Sequence, residues 1–156
     1  MTASLRLVSE CEADTEAAGR RLGAALRRGD LLGLDGEVGA GKTALVRGVA
    51  AGLGLDPALV RSPTFALHHL YRGAPTLHHL DCYRLGQGAS LEVLDLEGLL
   101  EDGVVAMEWA GYADLRPYAP VRLRLETLGP ERRLLRLEPG APGRLERALC
   151  GPGAAR

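Results

Sequence analysis

A glycine-rich segment at residues 36–43 has the residue types and spacing of a phosphate-binding loop. It follows the pattern of glycine, four residues, glycine, lysine and serine or threonine, and comprises Gly36, Glu37, Val38, Gly39, Ala40, Gly41, Lys42 and Thr43. The glycines let backbone N–H groups turn toward phosphates, and a following helix points its positive end at the same anion. The pattern predicts that Lys42 reaches the β- and γ-phosphates of a nucleotide and that the Thr43 hydroxyl binds Mg²⁺.

Lys42 is also the only lysine in the chain, although Lys and Arg together number 19. Every other basic position is arginine, so position 42 is predicted to need an ammonium group specifically. Arginine presents a broad planar fork, whereas lysine is a compact point charge that fits a narrow phosphate site.

Two apolar segments end in acids that could serve a metal ion beside these phosphates. Asp81 follows residues 77–80, and Glu108 follows residues 104–107. Acids that end buried strands lie at the C-terminal edge of a sheet, where the phosphate loop also lies. We expect at least one of them to serve Mg²⁺, and these residues leave open which. Glu37, inside the loop, is expected to face solvent.

The segment Ser62-Pro63-Thr64-Phe65 follows the helix predicted after the loop. Switch loops bring a hydroxyl near a γ-phosphate from such a position. From these residues alone, a capped turn that enters a strand is a slightly better explanation.

Two histidine pairs, at residues 68–69 and 78–79, do not predict a metal site. Neighbouring side chains of a strand point to opposite faces, and no cysteine or acid spacing completes a zinc set. His79 shares a face with Asp81 and is expected to support that acid.

The elements that must position these residues follow from periodicity and turn composition. Strands are predicted at about residues 5–8, 31–35, 65–71, 76–83, 104–108, 121–127 and 132–138. Helices are predicted at 15–28, with Asp14 as cap, and at 42–53, 92–102 and 144–149. Turns at 72–75 and 129–130 predict hairpins. This order predicts an α/β fold, a single phosphate-loop NTPase domain of three layers with a mixed central sheet and helices on both faces.

Length and composition fit one domain, predicted at residues 1–150, with a short flexible tail at 151–156. Apolar residues make up 46% and charged residues 25%, which suits one buried core. The net charge of -1 gives no general basic field, so contact with RNA would need a local patch or a partner. No apolar run spans a bilayer, no secretory signal is present, and the three cysteines lack metal spacing, so a cytoplasmic location is expected.

Four blocks of the sequence together resemble the bacterial tRNA threonylcarbamoyladenosine biosynthesis ATPase family TsaE, also called YjeE. They match the family in order and spacing, and Thr15 and Gly19 resemble its N-terminal region. The blocks are the loop at 36–43, Ser62-Pro63-Thr64-Phe65, His79-Leu80-Asp81-Cys82-Tyr83-Arg84-Leu85 and Glu108-Trp109. Glu37, Val38 and Ala44 depart from the commonest family residues without removing the loop's backbone groups or the Thr43 hydroxyl.

The resemblance implies an ATPase that acts in forming threonylcarbamoyladenosine beside the anticodon of tRNA. ATP hydrolysis would be weak alone and would support turnover of the TsaB–TsaD transferase pair, with tRNA reached only indirectly. It also implies that Thr43 and Glu108 serve Mg²⁺ and that Asp81 supports hydrolysis beside Lys42. Expected nucleotide contacts are the eight loop residues, Thr15 and Trp109, and a switch-like role falls to Ser62 and Thr64.

Three other functions are alternatives for a chain with this loop. A small-molecule or nucleotide kinase normally closes an arginine-bearing lid over its acceptor, and no clear lid insertion follows the loop, although Arg84 and Arg116 could serve in one. A guanine-specific GTPase needs a second lysine to read the base. An interaction module with a vestigial loop would not need intact Lys42 and Thr43.

Overall fold

The strands form where short apolar or alternating runs are bounded by glycine, proline or polar residues. A computed structural model describes residues 3–63, 66–86, 88 and 90–152. Within these residues the strands are β1 (Leu5–Ser9), β2 (Leu31–Asp35), β3 (His68–Tyr71), β4 (Thr76–Asp81), β5 (Gly103–Glu108), β6 (Val121–Thr127) and β7 (Arg133–Leu137). The α-helices are α1 (Glu12–Ala25), α2 (Lys42–Gly52), α3 (Leu96–Asp102) and α4 (Gly143–Cys150). Phe65, where the third strand was expected to begin, lies outside the described residues.

The strands form one mixed sheet in the order β1-β7-β6-β2-β5-β4-β3. β2 is parallel to both β5 and β6, and β4 is parallel to β5. The pairs β1–β7, β3–β4 and β6–β7 are antiparallel, and the last two are the hairpins expected from the turn residues. Every residue of β5 is buried, as expected for a parallel strand covered on both faces. The predicted mixed sheet is confirmed.

Helices cover both faces of this sheet and enclose two apolar cores. On one face α1, α2 and α4 pack against alternate strand residues, among them Leu34, Leu77 and Ala106. On the other face α3 and the turns after β5 pack against intervening residues such as Val105 and Met107. The three-layer α/β architecture with helices on both faces is therefore confirmed.

Four glycines allow the backbones of α1 and α2 to pack directly against each other. A Cβ atom on Gly19 would lie 2.2 Å from a carbonyl oxygen of α2, and one on Gly48 would lie 2.0 Å from a carbonyl oxygen of α1. Gly23 and Gly52 are equally restricted, at 2.2 and 2.1 Å from backbone oxygens. Any side chain at these positions would overlap the partner helix. The first helix is thereby fixed against the helix that follows the phosphate loop.

The predicted start of α1 is wrong by one turn. The helix begins at Glu12, its N-cap position is Cys11, and no side chain caps it. Asp14 lies in the first turn instead, where its carboxylate accepts a hydrogen bond from the backbone N–H of Glu10 at 3.0 Å. An acid is favourable there because it faces the positive end of the helix.

The helix predicted at residues 92–102 is also shorter than expected. Residues 92–94 form a 3₁₀ turn, and Asp95 takes a left-handed backbone conformation with φ of 45°. A right-handed helix cannot continue through that conformation. The Asp95 side chain accepts a hydrogen bond from the N–H of Gly98 and caps α3.

The C-terminal segment is described as far as Pro152, two residues past the end of α4. The tail predicted at 151–156 stays a prediction, because residues 153–156 lie outside the described part. Among the helices that the structure describes, none combines the length and apolar composition that crossing a bilayer requires.

Candidate nucleotide-binding site

The phosphate loop joins β2 to α2 at the sheet edge where β2, β4 and β5 all end. Gly41 directly precedes α2 and has φ of 102°, in the left-handed region that favours glycine. Gly36 has no room for a side chain, since a Cβ atom there would lie 2.6 Å from the carbonyl oxygen of Leu125 in β6. The glycines therefore bring the loop backbone close to the sheet and to the start of α2, whose first N–H groups lack partners within the helix.

The Lys42 side chain folds back onto the loop and is only 6% exposed. Its Nζ donates hydrogen bonds to the carbonyl oxygens of Gly36 and Glu37, and it lies 4.3 Å from the centre of the Trp109 ring. Burial lowers the pKa of Lys42, and nearby carboxylates, chiefly that of Glu108, oppose this change. The contacts described for Nζ are with neutral groups, so a phosphate entering the loop would be a stronger partner.

The hydroxyl of Thr43 donates a hydrogen bond of 2.7 Å to Oε1 of Glu108, which joins the first turn of α2 to the end of β5. The Nε2 atom of His79 lies 3.4 Å from the same oxygen. Burial alone would raise the pKa of Glu108, but His79, Thr43 and Lys42 outweigh burial and hold that pKa below its usual value. The site therefore contains an ionised carboxylate directly beside a hydroxyl.

Asp81 and Glu108 lie side by side at this edge, in register across the parallel pair β4–β5. Asp81 is buried, and its Oδ1 accepts a hydrogen bond of 2.8 Å from the N–H of Tyr83. The structure thus brings both predicted acids to this sheet edge beside the phosphate loop, where Glu108 lines the cleft and Asp81 does not. His79 was expected to support Asp81, but its described contact is with Glu108.

A cleft of about 660 Å³ opens at the loop, and most of the predicted site residues line it. Thr15 contributes from α1, where its buried hydroxyl is 2.7 Å from that of Ser9. Ser62 contributes from the segment after α2, whereas Thr64 lies outside the described residues. The other predicted residues in the cleft wall are Val38, Gly39, Gly41, Lys42, Thr43, Glu108 and Trp109.

The middle of the loop is exposed to solvent at residues 37–39 and buried at Ala40. Glu37 is exposed, as expected, and Val38 is 82% exposed at the rim of the cleft. Ala40 is buried, and its N–H donates to the carbonyl oxygen of Glu37 at 3.0 Å. Glu37 and Ala40 therefore contact each other through the backbone rather than through their side chains.

Sequence reasoning missed two arginines in the cleft wall. Arg133, at the start of β7, donates to the carbonyl oxygen of Gly39 at 3.0 Å, although 94 residues separate the two. Arg47 lies one helical turn beyond Thr43 and forms ion pairs of 3.4 and 3.2 Å with Glu12 and Glu16 of α1. Helical spacing could have indicated Arg47, but nothing local to Arg133 points to the loop.

Aromatic side chains border the same cleft beside Glu108. The Trp109 ring lies 4.9 Å from that of Tyr83 and 5.5 Å from that of Tyr112, measured between centroids. Trp109 has a left-handed backbone conformation with φ of 56°, which is uncommon for a bulky residue. The sharp turn directly after Glu108 places the indole over Lys42.

The chemistry of this site fits Mg²⁺ bound together with a phosphorylated ligand. A hydroxyl and a carboxylate are oxygen ligands of the kind Mg²⁺ takes, and it is typically held by one or two carboxylates plus substrate phosphates. Within the described residues, no group of three or more His, Cys, Asp or Glu side chains could hold a metal by itself. The adjacent oxygens of Thr43 and Glu108 are of the kind that could contact such an ion.

Comparison with known proteins gives consistent matches that include this site. Residues 9–134 match the family described as "Threonylcarbamoyl adenosine biosynthesis protein TsaE". The chain is 47% identical over 111 residues to the tRNA threonylcarbamoyladenosine biosynthesis protein TsaE of Streptomyces coelicolor, covering 69% of this chain and 74% of that protein. The protein of the same name from Mycobacterium leprae is 40% identical over 131 residues, covering 77% and 81%.

A solved structure is similar over nearly the whole fold. The crystal structure of Bacillus subtilis YdiB superposes with a TM-score of 0.73 at 27% identity, covering 96% of this chain and 93% of that chain. The family match spans the phosphate loop, both acids and Trp109. The chain therefore belongs to the TsaE family of threonylcarbamoyl adenosine biosynthesis proteins.

Proposed function

We propose that this protein is a cytoplasmic ATPase that binds ATP with Mg²⁺ in the cleft and hydrolyses it to support turnover of the TsaB–TsaD transferase pair. The observation that carries this proposal is the meeting of Lys42, Thr43 and Glu108 at one end of the phosphate loop. An ammonium, a hydroxyl and an ionised carboxylate in one cleft are the groups expected to bind a nucleoside triphosphate together with its metal ion. Family membership supports the tRNA modification pathway.

Binding of ATP would exchange the contacts of Lys42. Its Nζ would leave the carbonyl oxygens of Gly36 and Glu37 for the β- and γ-phosphates, while the loop N–H groups hold the phosphate oxygens. When bound, Mg²⁺ neutralises charge on the phosphate oxygens. Thr43 and Glu108 would contact the ion in place of their mutual hydrogen bond, and His79 would keep Glu108 oriented.

Hydrolysis would depend on Asp81, the second carboxylate at this edge. It is held by the N–H of Tyr83 and lies in register with Glu108, next to the position proposed for the metal. Asp81 is buried and is not among the residues that line the cleft, so it would support hydrolysis by holding the backbone of Tyr83, which does line it. Ser62 borders the same cleft and is the described member of the switch-like segment.

The test is phosphate release from ATP by the chain alone, with TsaB, with TsaD and with both. We expect slow phosphate release by the chain alone and a clearly faster rate with TsaB and TsaD together, because the proposed nucleotide cycle acts on that pair. A pull-down of TsaB–TsaD in ATP, in ADP and without nucleotide should show dependence on nucleotide state. A full rate without partners, or phosphate transfer to an added nucleoside monophosphate, would contradict the proposal and favour an autonomous ATPase or a kinase.

Variants of the switch-like segment sharpen this test. Ser62→Ala and Thr64→Ala should reduce the partner-dependent increase more than they reduce ATP binding. Ser90→Ala removes a hydroxyl from an exposed position outside the cleft and serves as the matched control. Equal effects of Ser62→Ala and Ser90→Ala would remove Ser62 from the proposed mechanism.

A further inference from the structure

The sheet face turned away from α1, α2 and α4 carries a row of three arginines. Arg6 is paired with Arg136 across β1 and β7, and Arg136 is paired with Arg124 across β7 and β6. Directly paired residues point to the same face of a sheet. The neighbouring leucines of these strands, such as Leu135, pack into the helix-covered core, so the three guanidinium groups leave on the opposite side. We call Arg6, Arg136 and Arg124 the arginine row.

This part of the sheet is open in the described residues. The second apolar core contains side chains of β2, β4 and β5 but none from β1, β6 or β7 in the part of the chain described. Arg6 and Arg124 are exposed, and the Arg136 side chain between them retains 30% of its exposure. Val8, beside the row on β1, is 43% exposed. The arginine row is therefore accessible to a macromolecule.

Three acids lie on this face with the row. Glu126 forms an ion pair of 3.3 Å with Arg136. Asp35 lies opposite Arg124 in register but pairs at 3.6 Å with Arg122, and Glu138 follows β7 beside Arg122. Neither Arg6 nor Arg124 has an ion pair or a side-chain hydrogen bond with any described residue. Like charges directly opposite each other on strands about 4.8 Å apart are destabilising. The row therefore adds charge at a cost to folding, which an anionic partner would relieve.

From this arrangement we infer that the arginine row docks the phosphate backbone of RNA. Guanidinium forks bind phosphate oxygens in pairs, and nucleic-acid interfaces are more polar and more positive than protein interfaces. A protein partner would be expected to cover an apolar centre, and this face offers chiefly the single pair Val8 and Leu134. The choice of RNA among polyanions rests on the proposed function, which places a tRNA in the pathway, and it departs from the expectation that tRNA is reached only indirectly. The row is also the local patch that a chain of net charge -1 would need.

The experiment measures binding of the full chain to an unmodified, fluorescein-labelled tRNA transcript by anisotropy at several salt concentrations. The variant Arg6→Gln/Arg124→Gln should bind more weakly, and its slope of log Kd against log salt should fall by about 2, one for each lost phosphate contact. Arg28→Gln/Arg72→Gln is the matched control, because it removes the same charge from exposed positions elsewhere. This control should keep the wild-type slope.

Three results would overturn the inference. They are no binding of the transcript by wild type, equal losses in both double variants, and a loss of TsaB–TsaD capture by Arg6→Gln/Arg124→Gln with tRNA binding unchanged. The last result would identify the face as a docking surface for an acidic protein. ATP affinity measured on the same samples distinguishes the two proposals. Absence of ATP binding would contradict the proposed ATPase function, whereas the tRNA result tests only the arginine row.

Discussion

Thr43 and Glu108, separated by 65 positions in sequence, share a hydrogen bond of 2.7 Å at the junction of α2 and β5. Thr43 ends the phosphate loop, and Glu108 ends β5, which pairs with β2, the strand that precedes the loop. Their hydrogen bond occupies the oxygen atoms that a metal would need. If Mg²⁺ binds as proposed, two metal contacts would replace that bond and would link Mg²⁺ binding to the position of α2.

This relationship predicts how variants of the pair respond to Mg²⁺. Thr43→Val and Glu108→Gln should each reduce the extra thermal stabilisation that Mg²⁺ gives to the ATP complex, because Val lacks the hydroxyl and Gln lacks the negative charge of the carboxylate. Thr43→Ser keeps the hydroxyl and is the control. Asp81→Ala should slow hydrolysis while retaining more of this stabilisation. Unchanged Mg²⁺-dependent melting shifts in Thr43→Val and Glu108→Gln would place the metal elsewhere.

Replacement of Lys42 should weaken ATP binding strongly. Lys42→Ala removes a charge-assisted contact, which costs about 1.5–3 kcal/mol, or roughly ten- to a hundredfold in affinity measured by calorimetry. Lys42→Arg should not restore hydrolysis, because the planar fork is broader than the ammonium that fits between Trp109 and the loop. Wild-type hydrolysis by Lys42→Arg would disprove the requirement for lysine.

Stability should depend on pH through Glu108. Its pKa in the folded protein lies below the ordinary value of 4.5, so the folded state favours the ionised form. That stabilisation is present above pH 4.5 and is lost as the pH falls through the folded-state pKa. The free energy of unfolding, measured by chemical denaturation between pH 3 and pH 7, should therefore decrease less on acidification for Glu108→Gln than for wild type. Glu97→Gln, which removes an exposed carboxylate on α3, should follow the wild-type curve.

Trp109 should report nucleotide binding by fluorescence. It is the only tryptophan, and the centre of its ring lies 4.3 Å from the Lys42 ammonium. We propose that this ammonium moves toward the phosphates when ATP binds. Titration with ATP or ADP should change the emission, and Trp109→Phe should abolish the signal. A flat titration of wild type, alongside binding shown by calorimetry, would be inconsistent with this movement.

Packing of α1 against α2 should make Gly48 intolerant of any side chain. Gly48→Ala would place a Cβ atom 2.0 Å from the backbone oxygen of Glu16 and should destabilise the fold by about 3 kcal/mol. Gly129→Ala is the control, since a Cβ atom there meets nothing within 4 Å. Equal melting temperatures for the two variants would show that the helices can separate at little cost.

The sequence allowed prediction of those parts of the site that follow from local pattern. The loop at 36–43 has a fixed spacing, and Asp81 and Glu108 each end an apolar run, so their meeting at one sheet edge follows from parallel pairing. The contact of Arg133 with Gly39 depends instead on where a distant hairpin packs. The break at Asp95 was missed because apolar residues continue at helical spacing through a residue with left-handed backbone.

The glycine contact between α1 and α2 also determines which parts of the cleft can move. Helices usually slide past each other by changing the rotamers of interface side chains, and glycines have none to change. Thr15, on α1, and Lys42, on α2, therefore belong to one rigid half of the cleft, whose width is set by backbone contact. We expect adjustment to a bound nucleotide to occur instead at Ser62, which lies in a loop segment, and at Arg133, which lies in a hairpin.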